Sequence, residues 1–365
     1  LFHLTPLLTH LKLHPKLVLS RRALKSLQEA CGARLKSIQG LGVPDAEMLP
    51  TVFVTDPVTE LLTWTPELEE LEVVGGGIGD FEDDDELDEE AEEEDDAGEP
   101  RQLLSLPNLQ RLSLIAVPWS PVFLALLRAS LPNLVDLTLT SYRAEEVDEQ
   151  VLAAQALGIP IDGQAGPALV GGFPGPQQQP IPLSSSSSTS LFLQNHGEGL
   201  TKLTLLRAPD WPPIPFAPPR DLLTTSPNLK YLHFINEKHS GNLETPSIRL
   251  DPPTKPHPLT HMTLSRPNED LLASLEAILR KSTANQSSPS SGSPPRISSF
   301  RSPIANRRET SLLPHLSTIH FTSVRWLKLA SRGAQNTGTN AGMKQWKAAL
   351  RRYGVRVVDM EGNDA

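Results

Sequence analysis

The sequence predicts an α/β solenoid in which a parallel sheet forms the concave face and helices form the convex face. Three observations predict this architecture. A short leucine frame recurs about ten times, capped helical segments lie between several of its copies, and long polar segments interrupt the array at three places. One copy is too short to bury its own apolar face, whereas stacked copies share a continuous core.

The repeated frame is L-x-x-L-x-L, and its two clearest copies, at Leu109 and Leu134, both follow Leu-Pro-Asn. The second and third apolar positions lie two residues apart, so both point to one side of a short strand. Spacings between neighbouring copies include 25, 29 and 30 residues. The other copies are Leu8/Leu11/Leu13, Leu68/Leu71/Val73, Leu200/Leu203/Leu205, Leu229/Leu232/Phe234, Leu259/Met262/Leu264, Leu316/Ile319/Phe321, Val355/Val358/Met360 and the weak Leu35/Ile38.

Helices are predicted where a capping residue or a first-turn proline precedes an apolar stripe. In 269–280 the stripe follows Asn268, and acidic residues in the first turn stabilise the helix by interacting with the positive end of its dipole. The predicted helices are 21–31 after Ser20, 58–64 after Asp56-Pro57, 122–129 after Ser120-Pro121, 269–280 after Asn268, and 341–353 from Asn340 to the stop at Gly354. Strand and helix therefore alternate within about 25–30 residues.

Three insertions divide the array, and each has too few apolar residues to offset the entropy of ordering it. We expect all three to be disordered loops. The expected segments are repeats at 1–79, an acidic insertion at 80–100, repeats at 101–145, a Gly/Pro/Gln/Ser insertion at 146–195, repeats at 196–281, a Ser/Pro/Arg-rich insertion at 282–310, and final repeats with a capping helix at 311–365.

Composition excludes several classes of protein. The net charge of -10 arises from 15 acids in residues 80–99, and without them 33 bases face 28 acids. A uniformly anionic surface is thereby excluded. The one cysteine, Cys31, excludes an intramolecular disulfide framework and fits a reducing compartment. No apolar run approaches the ~18 residues that a membrane-spanning helix needs. Because the sequence begins with Leu, we take it to be a fragment or a processed form.

Candidate chemistry is sparse, and we expect no catalytic residue, no metal site and no cofactor. The glycines at 75–79 follow a strand, but their spacing fails G-x-G-x-x-G, and the carboxylates that follow would repel phosphate. The pairs His10/His14 and His257/His261 have ligand-like spacing, yet prolines interrupt both segments and no acid completes a metal shell. Cys31 lies on a predicted apolar helix face.

At these frames the chain resembles the leucine-rich repeat superfamily, and more narrowly the irregular ribonuclease-inhibitor-like arrays of fungal F-box proteins. Residues 226–232 (SPNLKYL) and 65–73 (TPELEELEV) carry the resemblance. It implies an irregular leucine-rich repeat horseshoe. It also implies a role in recruiting a substrate to a cullin–RING ubiquitin ligase, provided that an F-box lies upstream, because no F-box is visible here.

One departure from that family predicts an uneven horseshoe. The family places Asn or Cys three residues after the last strand leucine, where its side chains form a ladder that regularises the turns. Here other residues occupy that position: Val117, Ala208, Glu237, Pro267 and Val324.

We therefore expect a non-catalytic protein-binding module, cytoplasmic or nuclear, whose partner is a protein held on the concave face. The expected contacts come from the variable residues between the strand leucines. They are Gln110, Arg111, Ser113, Val135, Asp136, Thr138, Lys202, Thr204, Lys230, Tyr231 and His233. No membrane is expected as a partner, and nucleic acid is not favoured.

Two alternatives stay open. The chain could be an interaction scaffold without ubiquitin chemistry. It could also be a chromatin- or nucleic-acid-associated factor, since residues 80–99 are acidic while residues 280–365 hold 14 bases against 4 acids. Three Ser-Pro dipeptides, at Ser288, Ser293 and Ser302, offer phosphorylation sites that would cancel nearby positive charge.

Overall fold

The computed structural model describes residues 2–14, 17–43, 57–75, 103–117, 120–140, 188–207, 218–236, 248–280, 311–324 and 338–364. Within these residues ten strands form one open sheet, and their order in the sheet is their order along the chain. All neighbouring strands are parallel. The strands are β1 (His10–Lys12), β2 (Ser37–Gly42), β3 (Glu70–Val74), β4 (Arg111–Ile115), β5 (Asp136–Thr140), β6 (Lys202–Arg207), β7 (Tyr231–Asn236), β8 (His261–Leu264), β9 (Thr318–Phe321) and β10 (Arg356–Val358).

The leucine frames pair with one another across this sheet. From Leu11 on β1 to Ile319 on β9, the second apolar position of each frame stands opposite that of the next. The second and third positions from β3 to β9 are all buried, in one core that the helices share. The α/β class and the parallel, solenoid-like sheet predicted from the frames are thus confirmed.

Strand β2 explains why its copy of the frame is weak. Its register shifts between Ile38, which faces Leu71, and Leu41, which faces Val73. Gly40, with a φ of 73°, occupies the extra position, in a backbone conformation that favours glycine. Leu41 therefore fills the buried position that the third leucine takes in the other frames.

The frame predicted for the last strand is wrong by one residue. Val357, not Val358, faces Ile319 on β9, and Met360 is 52% exposed. The third position belongs to Asp359, which is fully buried. Its carboxylate accepts hydrogen bonds from the backbone N–H groups of Glu361 and Asn363, at 3.0 and 2.8 Å, so a polar residue is tolerated there.

Seven α-helices connect the described strands on the buried side of the sheet. Four of the five predicted helices start where expected, to within a residue, and cap bonds support three of them: Ser20 Oγ accepts from Ala23 N, Ser120 Oγ from Phe123 N, and Asn268 Oδ1 from Leu271 N. The last helix begins at Gly338 rather than at Asn340. The helices are α1 (Arg21–Cys31), α2 (Pro57–Thr63), α3 (Pro121–Arg128), α4 (Ser188–His196), α5 (Leu222–Thr225), α6 (Glu269–Arg280) and α7 (Gly338–Arg351).

Helix α4 was not predicted, and it overlaps the end of the segment 146–195 assigned to an insertion. Its Phe192 is fully buried, with its ring 6.2 Å from the ring of Phe123 on α3. The Asn195 amide donates to the Leu127 carbonyl at 3.0 Å, and a ring nitrogen of His196 lies 3.0 Å from the same oxygen. The helix therefore caps the end of α3 and belongs to the solenoid.

An asparagine ladder joins neighbouring repeats just before their strands. Asn108 donates to the Pro66 carbonyl at 3.1 Å, and Asn133 donates to the Pro107 carbonyl at 2.7 Å. Asn228 makes the same kind of bond, donating to the Glu198 backbone carbonyl at 2.8 Å. Each asparagine directly precedes the first leucine of its frame, so the side-chain ladder stands before the strand rather than after it.

The two other insertions, 80–100 and 282–310, and most of 146–195 lie outside the described residues, and so do the Ser-Pro sites. Among the residues that are described, no helix is long and apolar enough to cross a membrane.

Candidate protein-binding face

One face of the sheet carries the strand side chains that point away from the helices, and we call it the exposed face. In β4, Leu112 and Leu114 are buried whereas Arg111, Ser113 and Ile115 retain contact with solvent. Because neighbouring strands are in register, such side chains align in rows across the sheet. The first row is Ser37, Glu70, Arg111, Asp136, Lys202, Tyr231, His261 and Thr318, and the second row is Glu72, Ser113, Thr138, Thr204, His233, Thr263 and His320.

Opposite charges alternate along the N-terminal part of the first row. Arg111 contacts Glu70 at 3.0 Å, and Lys202 contacts Asp136 at 2.7 Å. Partial burial acts to raise the pKa of Glu70, but hydrogen bonds from Arg111, Ser37 and Gln39, with the charge of Arg111, outweigh it and lower that pKa. These four charges are therefore already paired within the sheet.

The first row becomes aromatic at β7. The Tyr231 ring stacks on the His261 ring of β8, with centroids 5.3 Å apart and planes 20° apart. Tyr231 is still 42% exposed. A large, partly apolar ring held rigid by its neighbour provides contact area at little entropic cost, which is typical of residues that dominate protein interfaces.

After Glu72 on β3, the second row consists of small hydroxyl side chains and two histidines. His233 on β7 and His320 on β9 flank Thr263. Burial, aided by the charge of Lys202, lowers the pKa of His233 despite the opposing effect of Asp136. The neutral form of His233 is therefore favoured more strongly than in a free histidine, and a negative group placed beside it would favour the protonated form.

The structure brings the predicted contact residues into one region, although not all of them lie on the strands. Gln110, Val135 and Lys230 precede β4, β5 and β7 and are exposed at the edge of the face. The other eight occupy consecutive positions in the two rows. One of them, Thr204, stands between Thr138 and His233 in the second row and is only 6% exposed, so it offers a partner almost no surface.

Sequence analysis missed the parts of both rows that come from the less regular frames. Glu70 and Glu72 on β3, His261 and Thr263 on β8, and His320 on β9 stand in register with the predicted residues. Their offsets within the frame are the same as those of the predicted residues. Applying those offsets to every frame would have found them.

His257 and His261, considered as metal ligands, lie in different surroundings. His257 is buried: its Nε2 lies 2.9 Å from the Ser226 carbonyl, and its Nδ1 accepts from Leu259 N at 3.2 Å. His261 instead lies on the exposed face. Within the described residues no group of three or more His, Cys, Asp or Glu side chains is arranged to hold a metal ion. Cys31 is buried on α1, and that burial raises its pKa.

Comparisons of the chain with protein-family models, with curated proteins and with solved structures found no match. The physical indications of function are therefore those of the exposed face itself: a regular scaffold, two rows of polar side chains, and an exposed aromatic ring. Such a surface is long and shallow, and it suits contact with another macromolecule better than enclosure of a small molecule.

Proposed function

We propose that the chain is a non-catalytic protein-binding module that holds its partner on the exposed face. The observation that supports it is the register of the two rows, which places side chains from seven successive strands, β3 to β9, on one continuous surface. Neighbouring strands lie about 4.8 Å apart, so the surface extends roughly 30 Å across the sheet. That width matches a standard protein–protein interface.

The folding requirements of the chain leave this surface available for binding. Packing against the helices constrains the buried leucines, whereas the residues of the two rows need only fit a parallel strand. Repeat scaffolds commonly present such a variable surface on a constant core. The variety among Arg111, Asp136, Tyr231 and His261 is consistent with selection for a partner rather than for packing.

Within this function we propose a narrower one, in which the array is a leucine-rich repeat domain that recruits substrates for an F-box-type ubiquitin ligase. The asparagine ladder and the buried leucine columns support a leucine-rich solenoid. The link to ubiquitin rests on the sequence resemblance alone. Co-purification of a cullin–RING adaptor with the full-length gene product would support it. Capture of other partners without the adaptor would favour a scaffold.

The protein-binding proposal is tested with a matched pair of variants of the whole chain. Ser113→Arg places a bulky charge on the exposed face, and Ala277→Arg places the same group on the exposed side of α6. Proteins captured by the wild type and quantified by mass spectrometry should be lost with Ser113→Arg and kept with Ala277→Arg. Equal capture by both variants would contradict the proposal.

The alternative of a chromatin- or nucleic-acid-associated factor depends on residues 80–99 and 282–308, outside the described part of the chain. Nothing on the exposed face favours it over protein binding. Histone or RNA pull-down that is lost on deleting either segment would support that alternative instead.

A further inference from the structure

The exposed face changes character at β7. From β7 to β9 the described residues of the two rows, and the edge residues before them, include no carboxylate. They are Lys230, Tyr231, His233, Thr260, His261, Thr263, Ser317, Thr318 and His320. By contrast, β3 to β6 carry Glu70, Glu72 and Asp136. We define the histidine patch as Tyr231, His233, His261, Thr263 and His320.

The histidine patch has hydrogen-bonding groups left over. His261 Nδ1 lies 2.9 Å from Thr260 Oγ1, which leaves its Nε2 available. Among the described residues, the ring nitrogens of His233 and His320 have no hydrogen-bond partner. A half-buried polar group without a partner is a place where a bound ligand gains a hydrogen bond without displacing an existing one.

The charges around His233 decide what the patch can accept. On the β6 side its charge is influenced by Lys202, which lies one row away and is paired with Asp136 of β5, and on the other side by His261 of β8 and His320 of β9. Protonating several neighbouring imidazoles is unfavourable unless a negative group arrives to neutralise them. A carboxylate from a partner supplies that charge, and proton uptake then accompanies binding.

We propose that the histidine patch binds an acidic, extended segment of a partner protein, and that this binding strengthens as the pH falls. This inference rests on the proposed protein-binding function and names the chemistry of the partner. His233 and His320 are two strands apart, about 10 Å, so separate carboxylates of one peptide reach both rings. Lys230 at the edge adds a permanent positive charge, and Tyr231 packs against the aliphatic part of the peptide.

A nucleic acid fits the patch less well. Binding to a phosphate backbone draws on several Lys or Arg residues, and here Lys230 is the one permanent cation among the patch and its described edge residues. Single-stranded nucleic acid also stacks successive bases on several aromatic rings, whereas Tyr231 and His261 already use one ring face each on the other.

The test uses a fluorescent synthetic peptide of about 12 residues, composed of Asp, Glu and Ser, which in extended form is longer than the patch is wide. Its affinity for the whole chain is measured by anisotropy at pH 7.5 and pH 6.0 and constant ionic strength. We expect roughly tenfold tighter binding at the lower pH, since surface imidazolium–carboxylate pairs each contribute modestly.

Two variants locate the effect. Replacing His233, His261 and His320 together by Gln should reduce the pH dependence to less than about twofold, because Gln does not titrate. His315→Gln removes an exposed histidine from the turn before β9 and should leave the pH dependence unchanged. Circular dichroism at both pH values verifies that each variant is folded.

Several outcomes would overturn the inference: no binding by the wild type, the same pH dependence in the triple variant, or tighter binding of a thymidine oligonucleotide of equal charge. If the peptide fails to bind while Ser113→Arg still abolishes partner capture, the inference falls and the proposed function stands. If the peptide binds as expected while capture is insensitive to Ser113→Arg, the proposed function falls in its present form.

Discussion

The asparagine ladder provides the most direct test of how neighbouring repeats are held together. In Asn133→Ala the amide that donates to the Pro107 carbonyl at 2.7 Å is removed. A neutral hydrogen bond contributes about 0.5–1.5 kcal/mol net, and Pro107 is exposed, so water can replace the lost donor. We expect a loss of about 1 kcal/mol, or ~2–4 °C in Tm for a domain of this size.

Because a repeat array is held by contacts between neighbours, this loss should also be local. Hydrogen exchange should quicken at the amides of β4 and β5 and change little at β8 and β9. Urea unfolding gives the total loss of unfolding free energy. The control is Gln110→Ala, an exposed substitution directly before β4. Equal stability in both variants, or exchange that quickens uniformly along the sheet, would refute the reasoning.

The remaining predictions concern the core, a buried histidine and the last strand. Leu137 is fully buried, and Leu137→Ala should cost about 2–5 kcal/mol in urea unfolding, against under ~1 kcal/mol for the neighbouring Thr138→Ala. Burial lowers the pKa of His257 despite its bond to Ser226. As the pH falls, the unfolded chain therefore takes up a proton at a higher pH than the folded chain does, and the free energy of unfolding should fall below about pH 6.5. The free energy of unfolding of His257→Gln should fall less between pH 7.5 and 5.5, and an unchanged slope would count against this account. Asp359→Ala removes an acceptor of two backbone N–H groups and should cost about 1–3 kcal/mol, whereas Asp364→Ala breaks only an exposed ion pair with Arg356 and should cost under ~1 kcal/mol; equal losses would contradict that difference.

The regular part of the fold could be predicted from sequence because burial repeats at fixed offsets. Leucines two apart mark the strands, and Ser20, Ser120 and Asn268 mark helix starts through their own backbone bonds. Prediction failed where tertiary packing, rather than a repeating apolar pattern, determines the local structure. In helix α4 three consecutive apolar residues, 191–193, form no helical stripe, and its place was set by packing against α3.

The candidate face could be predicted only as a set of positions. The frame identifies which residues point away from the core, but the pairing of Arg111 with Glu70 depends on two strands separated by a 41-residue interval in sequence. The last strand shows the same limit. Valines at 355, 357 and 358 fit more than one register, and the buried Asp359 decides between them through bonds that no hydrophobic pattern contains.

The ion pairs on β3 to β6 make the two halves of the exposed face, β3 to β6 and β7 to β9, differ in what they offer a partner. A partner that uses Glu70 or Arg111 must either compete with their 3.0 Å contact or accept the pair as a neutral unit. Either way, one added charge gains little, since exposed pairs contribute at most about 1 kcal/mol. From β7 to β9 the described residues of the two rows include no carboxylate, so the same added carboxylate accepts a hydrogen bond from an imidazole that takes up a proton. Discrimination by charge should therefore come from the C-terminal half, while the N-terminal half contributes shape and contact area.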